Sequence, residues 1–318
     1  MDEPLVYAIP LRNRFRGVTV REGVLLRGPA GWGEFCPFAD YDDRESAPWL
    51  AAAVEASQRG WPAPVRARVE VNTTVPVVGA DAAHDMVARS GCRTAKVKVA
   101  DPRTSIVEDC ERVAAVRDAL GPRGAIRVDA NAAWDVDTAT KAIRELDRAA
   151  GGLEYVEQPC PSIDELAAVR RKTDVRIAAD ESIRRAEDPL RVAVANAADI
   201  AVIKVAPLGG VRRALEVAEA AGLPCVVSSA VETSVGLAAG LALAGALPEL
   251  DFACGLGTMS LLTKDTASHS LTPVDGYLPV LRQAPEPDLA HETAADEATT
   301  QAWLDRLRRV EGCGEAKA

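Results

Sequence analysis

The chain has 318 residues, 48% of them hydrophobic and 26% charged, a balance ordinary for a globular protein and enough for one large domain or two smaller ones. Its net charge of −10 argues against nucleic acid and membrane as partners, since both favour basic patches, yet leaves room for a small anionic substrate at a locally positive site. Seven cysteines without CxxC spacing read as reduced thiols, the start Met1-Asp2-Glu3-Pro4 lacks a signal-peptide pattern, and no apolar run is long enough to span a bilayer, so a cytoplasmic protein is expected.

Residues 1–65 carry strand-like pieces at 17–21 and 23–27, a Gly-Trp-Gly-Glu turn at 31–34 and a helix near 47–58. Arg12, Arg14 and Arg16 fall in a stretch read as a loop, placed either for surface solubility or to close over a site. From residue 66 onward, short β-branched runs alternate with amphipathic segments rich in Ala, Arg and Glu. Strands are expected at 68–75, 95–100, 125–130, 153–157, 176–179, 200–205, 225–228 and 251–254. Helices fill the gaps at 105–119, 137–149, 164–171, 189–196, 211–221 and 233–246, several followed by glycine stop signals such as Gly121, Gly151 and Gly222.

This alternation implies βαβ units and a parallel sheet. Eight strands fit a closed barrel better than an open doubly wound sheet, whose Gly-rich phosphate turn is missing after the first strand. Residues 261–318 contain a hairpin signal at Asp275-Gly276 and a polar helical tail over 294–309. The two flanks are each too small to fold alone and are expected to form one cap. The division is therefore a cap portion over 1–65, a barrel over 66–260 and a returning segment over 261–318.

The polar residues inside the apolar runs point to chemistry. Lys96 and Lys98 lie two apart on one strand and so share one face, where a charge is costly unless paired. Strands three to six end in Asp129-Ala130-Asn131, Glu157-Gln158-Pro159, Asp180-Glu181-Ser182 and Lys204. Catalytic groups in barrels come from the C-terminal ends of several strands. Three acids on three consecutive strands suit a hard cation such as Mg²⁺, with the lysines facing each other across the barrel. Taken singly, Asp180 or Ser182 could cap a helix, Asp129 or Asn131 could turn the chain, Glu157 could be a solvated strand end and Lys204 could reach solvent. The three histidines are scattered, so a Ser-His-Asp site is not expected. Ser228 and Ser229 follow strand seven as substrate contacts or plain strand-end hydroxyls. Gly255-Leu256-Gly257-Thr258 reads as a turn after the last strand, with Gly255 a candidate contact.

Lys96-x-Lys98, Asp129-x-Asn131, Glu157-Gln158-Pro159, Asp180-Glu181-Ser182 and Lys204, in that order, resemble the enolase superfamily, and more narrowly its muconate-lactonizing-type subgroup. The resemblance implies a modified (β/α)7β TIM-type barrel with an α+β cap from both termini. It implies Asp129, Glu157 and Asp180 as Mg²⁺ ligands, with Mn²⁺ as a substitute, and Lys98 and Lys204 as acid/base lysines on opposite faces of a small carboxylate substrate. Lys96, Asn131, Ser228, Ser229 and Gly255 become candidate substrate or supporting residues. The short chain, the compact start Arg12-Asn13-Arg14-Phe15-Arg16-Gly17 and the segment Ser228–Thr233 resemble the dehydratases of menaquinone biosynthesis. Those convert a hydroxyl- and succinyl-bearing cyclohexadiene carboxylate to its aromatic product through an enediolate. An N-succinylamino acid racemase or dipeptide epimerase would use the same two lysines. The oligomeric state stays open, a monomer included.

Overall fold

The computed structural model describes residues 3–184 and 191–315. Three strands open the chain, β1 (Leu5–Phe15), β2 (Val18–Gly28) and β3 (Gly31–Phe35), in an antiparallel sheet of that order. The loop read over Arg12–Arg16 is mostly strand: β1 runs through Arg12 and Arg14, and Arg16 and Gly17 form the hairpin turn at φ 48° and 82°. All three arginines are exposed. Nor is there a gap at Glu22 between two strand pieces, since β2 runs unbroken through it. A Cβ at Gly23 would come within 2.7 Å of the Tyr7 hydroxyl, so that glycine marks close packing inside the strand. Along β1 Tyr7, Ile9 and Phe15 are buried while Pro10, Arg12 and Arg14 on the other face are exposed, so most of the strand buries one face only. Helix α1 (Asp43–Val54) starts with a capping box from Asp42 and Glu45 and continues into a π turn over Glu55–Arg59.

The barrel follows as β4 (Arg68–Val75), α2 (Ala80–Ser90), β5 (Thr94–Lys98), α3 (Ile106–Leu120), β6 (Ala125–Asp129), α4 (Val136–Ala150), β7 (Tyr155–Glu157) and α5 (Ile163–Arg170). It continues with β8 (Ile177–Ala179), α6 (Glu181–Arg184), α7 (Arg191–Val194), β9 (Ile200–Ile203), α8 (Val205–Leu208), α9 (Val211–Ala221), β10 (Cys225–Val227), α10 (Ser234–Ala246) and β11 (Cys254–Gly257). Parallel neighbours run β10-β9-β8-β7-β6-β5-β4-β11, and a bridge between Ser228 and Gly255 joins the two ends of that row into a ring.

The helix read at 189–196 is observed over Arg191–Val194, and its first two residues lie outside the described ones. The last strand lies later than expected. Gly255, read as part of a turn, is inside β11, where a Cβ would meet Ser228 Oγ at 2.5 Å; the missing side chain is what lets the ring close.

Strand β12 (Tyr277–Pro279) pairs antiparallel with the start of β4, and helix α11 (Glu297–Glu315) then returns to the first sheet. Trp303 of α11 donates to Glu22 at 2.9 Å and meets Phe35 edge to face at 6.0 Å between ring centroids. Arg306 donates to the carbonyls of Phe38 and Tyr41 at 2.9 and 2.8 Å. Both ends of the chain thus build the cap.

Two buried carboxylates of the cap hold it on the barrel. Glu34 of β3 accepts from the Thr233 and Gly236 amides at 3.1 and 2.8 Å, at the N-terminus of α10. Glu55 accepts from Val211 N at 2.5 Å and Arg212 Nη1 at 2.8 Å, at the N-terminus of α9. Gly210, the residue before α9, has no side chain to cap it. Each glutamate satisfies amides that a helix start leaves open and sits at the positive end of the helix dipole.

Candidate active site

The pleat of β5 sends Lys96 and Lys98 into the barrel, where they are 6% and 8% exposed. In the parallel register Lys98 lies beside Asp129, and Asp129 beside Glu157, so three charged residues form a row across β5, β6 and β7. Asp180 follows β8 directly, and Lys204 follows β9. Asp129, Glu157 and Asp180 are each only 1% exposed, so none is a solvated strand end. Strands β5 and β9 stand four places apart in the eight-strand ring, which sets Lys98 and Lys204 on opposite sides with the acids between them.

The resemblance gives the carboxylates to a metal and the lysines to the substrate, with no direct pairing between them. Instead each ammonium is paired with one. Lys96 Nζ donates to both oxygens of Glu157, at 3.0 and 3.1 Å, and lies 3.3 Å from Asp129 Oδ2. Lys98 Nζ donates to Asp129 Oδ2 and Asn131 Oδ1, each at 2.6 Å. Lys204 Nζ donates to Asp180 Oδ2 at 2.6 Å, which removes the alternative that it reaches solvent. The physical reason is burial: ions withdrawn from water keep their charge only against a close counter-charge.

The two lysines of β5 are pushed in opposite directions. Burial depresses Lys98, and the positive Lys96 adds to that against the pull of Asp129. Burial also works against Lys96, but Glu157 and Asp129 outweigh it and hold Lys96 well above an ordinary lysine. Among the acids, Asp129 is held low by Lys98 and Lys96 despite its burial. Burial and the neighbouring Asp129 push Glu157 up to about 7. A shared site that favours one carboxylate as the anion raises the next.

Residues to which the sequence assigned no role, Gln158, Arg112 and Asp109, join Asn131 in holding this row in place. Gln158 Oε1 accepts from the amides of Asp180 and Ser182 at 2.9 and 3.2 Å, tying the ends of β7 and β8 together. Arg112 of α3 donates to the Lys98 carbonyl at 3.1 Å and pairs with Asp109 at 2.7 Å, and Asp109 in turn accepts from Ala100 N at 2.8 Å. An acid and an arginine three apart on a helix carry no signal in the sequence; burial is what distinguishes this pair. Asn131 N donates to Asp129 Oδ1 at 3.0 Å. Non-glycine residues with left-handed backbone gather at this end of the barrel: Ala100, Asn131, Ala132, Gln158 and Val231. Such strain concentrates at functional sites.

Above the row a pocket of about 470 Å³, counted to its open mouth, lies between barrel and cap. Lys96, Lys98, Asn131, Lys204, Ser228, Ser229 and Gly255, all singled out from the sequence, line it. The cap adds Arg16, for which closing over a site is one of two readings from the sequence, and Phe15, Phe38 and Trp49, which could not be placed there without the fold. The Lys98 ammonium stands 5.0 Å from the centroid of the Phe15 ring, and the Arg16 guanidinium 4.6 Å from that of Phe38. Arg12 is not among the lining residues, and Arg14 reaches only an adjoining groove.

Residues 79–285 match the family model described as enolase C-terminal domain-like, and residues 6–57 the one described as enolase N-terminal domain-like. The chain belongs to the enolase superfamily. It is 63% identical over 302 residues to the o-succinylbenzoate synthase of Thermobifida fusca, covering 95% of each chain. It is 54% identical to that of Mycolicibacterium smegmatis, covering 95% of this chain and 93% of the relative. Among solved structures, the muconate lactonizing enzyme of Pseudomonas fluorescens shares the fold, with a TM-score of 0.75 at 22% identity over 95% of this chain and 97% of that one. No helix among the described residues is long and apolar enough to cross a membrane.

Enolase-superfamily enzymes use a divalent metal ion, and the donor set here suits one. Among the described residues no three acids, histidines or cysteines already stand as a cation cage, and lysine ammonium groups lie against the carboxylates. The acids nevertheless sense one another: Asp129 and Asp180 both raise Glu157. Asp129, Glu157 and Asp180 are buried carboxylates at the ends of three neighbouring strands, hard oxygen donors of the kind a divalent ion takes.

Proposed function

We propose that this protein is an o-succinylbenzoate synthase, a metal-dependent hydro-lyase. Its reaction is the syn-dehydration of 2-succinyl-6-hydroxy-2,4-cyclohexadiene-1-carboxylate to 2-succinylbenzoate. The observation that carries the reading is the pair Lys98 and Lys204 set across the ring from each other, with three buried carboxylates between them, in a chain so similar to the Thermobifida fusca enzyme.

Asp129, Glu157 and Asp180 hold the metal, Mg²⁺ with Mn²⁺ as a substitute. When bound, it supplies a Lewis acid that stabilises negative charge developing on the substrate carboxylate. Lys98 Nζ takes the proton from the ring carbon that bears the carboxylate, and its lowered proton affinity suits it to that step. The protonated Lys98 then gives this proton to the hydroxyl leaving from the same face. One C–H and one C–O bond break, one C=C bond forms, and water departs. Lys204 stays charged and stabilises the developing negative charge from the opposite face. Lys96, anchored on Glu157, does not take part as a base; its charge keeps Lys98 from holding a proton too tightly. Asn131 orients Lys98, and Ser228, Ser229 and Gly255 meet the substrate along the pocket wall.

The test is turnover of the cyclohexadiene substrate by the purified protein with Mg²⁺, followed by loss of diene absorbance. In parallel, N-succinylamino acids are incubated in D₂O. Deuterium exchange and racemisation faster than dehydration would replace this reading with the racemase one.

A further inference from the structure

Val231 is a β-branched residue at φ 64°, a left-handed conformation that crowds its Cβ against the backbone. It sits in the loop between β10 and α10 and lines the pocket beside Ser229 and Thr258. Its N–H donates to Ser229 Oγ at 2.9 Å, and Ser229 Oγ lies 2.8 Å from Thr258 Oγ1. Such a conformation persists only where its surroundings enforce it. One contact comes from the cap: Arg21 Nε donates to the Val231 carbonyl at 3.0 Å.

Arg21 is placed for that task. It is 3% exposed on β2, and its guanidinium also donates to the carbonyl of Cys36 and lies 4.6 Å from the centroid of Phe38, itself a pocket residue. Glu34 and Glu232, both buried, compensate its charge. A rigid guanidinium fork can hold several acceptors at once, which an ammonium cannot.

We propose that Arg21 is a positioning residue of the substrate pocket: from the cap it holds the Val231 peptide in its strained conformation and so sets the wall formed by Ser229, Val231 and Thr258. It touches neither lysine nor carboxylate of the reacting row, so its influence falls on substrate binding and not on the proton transfer. The inference takes its assay from the proposed dehydration but has a readout of its own.

The experiment is a cycle of Arg21→Met, Val231→Gly and the double variant. Glycine adopts φ above zero without strain, so it needs no clamp. Arg21→Met is expected to raise KM about tenfold with kcat within about threefold, and to change KM less than about twofold in the Val231→Gly background. The same factor in both backgrounds overturns the proposal. Should Arg21→Met not fold, Arg21→Lys is measured in the same two backgrounds. A rise in KM confined to the valine background supports the clamp, and no rise or an equal one overturns it. Crystal structures add a readout that needs no activity. Val231 must leave the left-handed region in the Arg21 variant, and Val231 remaining at positive φ there overturns the proposal. A wild-type protein that fails to dehydrate the substrate would sink the proposed function while leaving this crystallographic result to be read.

Discussion

Lys98 Nζ lies 2.6 Å from Asp129 Oδ2, so the proposed base and a proposed metal ligand share a hydrogen bond inside the barrel. Divalent cation binding at Asp129 would draw that carboxylate's charge toward the metal and free Lys98 to meet substrate. Lys96, held on Glu157, remains beside it as a fixed positive charge.

Replacing the base should therefore silence the enzyme without unfolding it. Lys98→Ala and Lys204→Ala are each expected to lower kcat by about 10²–10⁴, the range of a positioned acid/base group. Circular dichroism and gel filtration should match wild type. Turnover of Lys98→Ala within a factor of about three of wild type would remove Lys98 from its role.

Metal binding should appear as stability. At a Mg²⁺ concentration about 100 times its Kd, the folded state gains about 2.7 kcal/mol, read as a rise in Tm by calorimetry. Asp180→Asn removes a charged donor and should abolish most of that rise. A wild type indifferent to Mg²⁺ would count against the metal site.

The cap should be held by its two glutamates. Glu55→Ala strips the cap from α9, where Val211 N and the Arg212 side chain now donate, and should cost about 1–2 kcal/mol in urea unfolding. Arg212 is partly exposed and water can replace its pairing, so the loss is dominated by the helix start. An unchanged unfolding midpoint would show that Glu55 does not hold the joint.

Glu232 offers a pH test away from the reacting row. Burial and the nearby Glu34 raise its carboxyl above the usual value of 4.5. A carboxyl that binds its proton more tightly in the fold than in the unfolded chain favours the fold when protonated, and that advantage fades as pH rises through the folded value. Glu232→Gln is neutral throughout, so it should raise Tm above wild type near pH 8 and lose that lead toward about pH 4. A difference independent of pH would contradict the assignment.

The barrel and its charged residues were readable from periodicity because both depend on local spacing. A short, mostly apolar run that carries charge inside it or at its C-terminal end is visible without any partner. Lys96, Lys98, Asp129, Glu157, Asp180 and Lys204 all declared themselves this way. The cap was less readable. Glu22 looked like a break and Arg12–Arg16 like a loop, because an antiparallel strand with one wet face has a weak signal. Gly255 was misplaced because its close neighbour, Ser228, is 27 residues earlier.

The sequence by itself determined the charges of the reacting row, the order of the strands that carry them and the phase that turns Lys96 and Lys98 to one face, but not the buried charge of Arg127 on β6. Only the tertiary structure decided how those charges pair and what lies over them. Ring closure brings Lys204 opposite Lys98, and the cap supplies Phe15, Arg16 and the Arg21 contact to Val231. Backbone spacing is a local property of the chain. A salt bridge, a strained loop and a pocket wall depend on contacts between distant segments, which the order of residues does not contain until the chain has closed on itself.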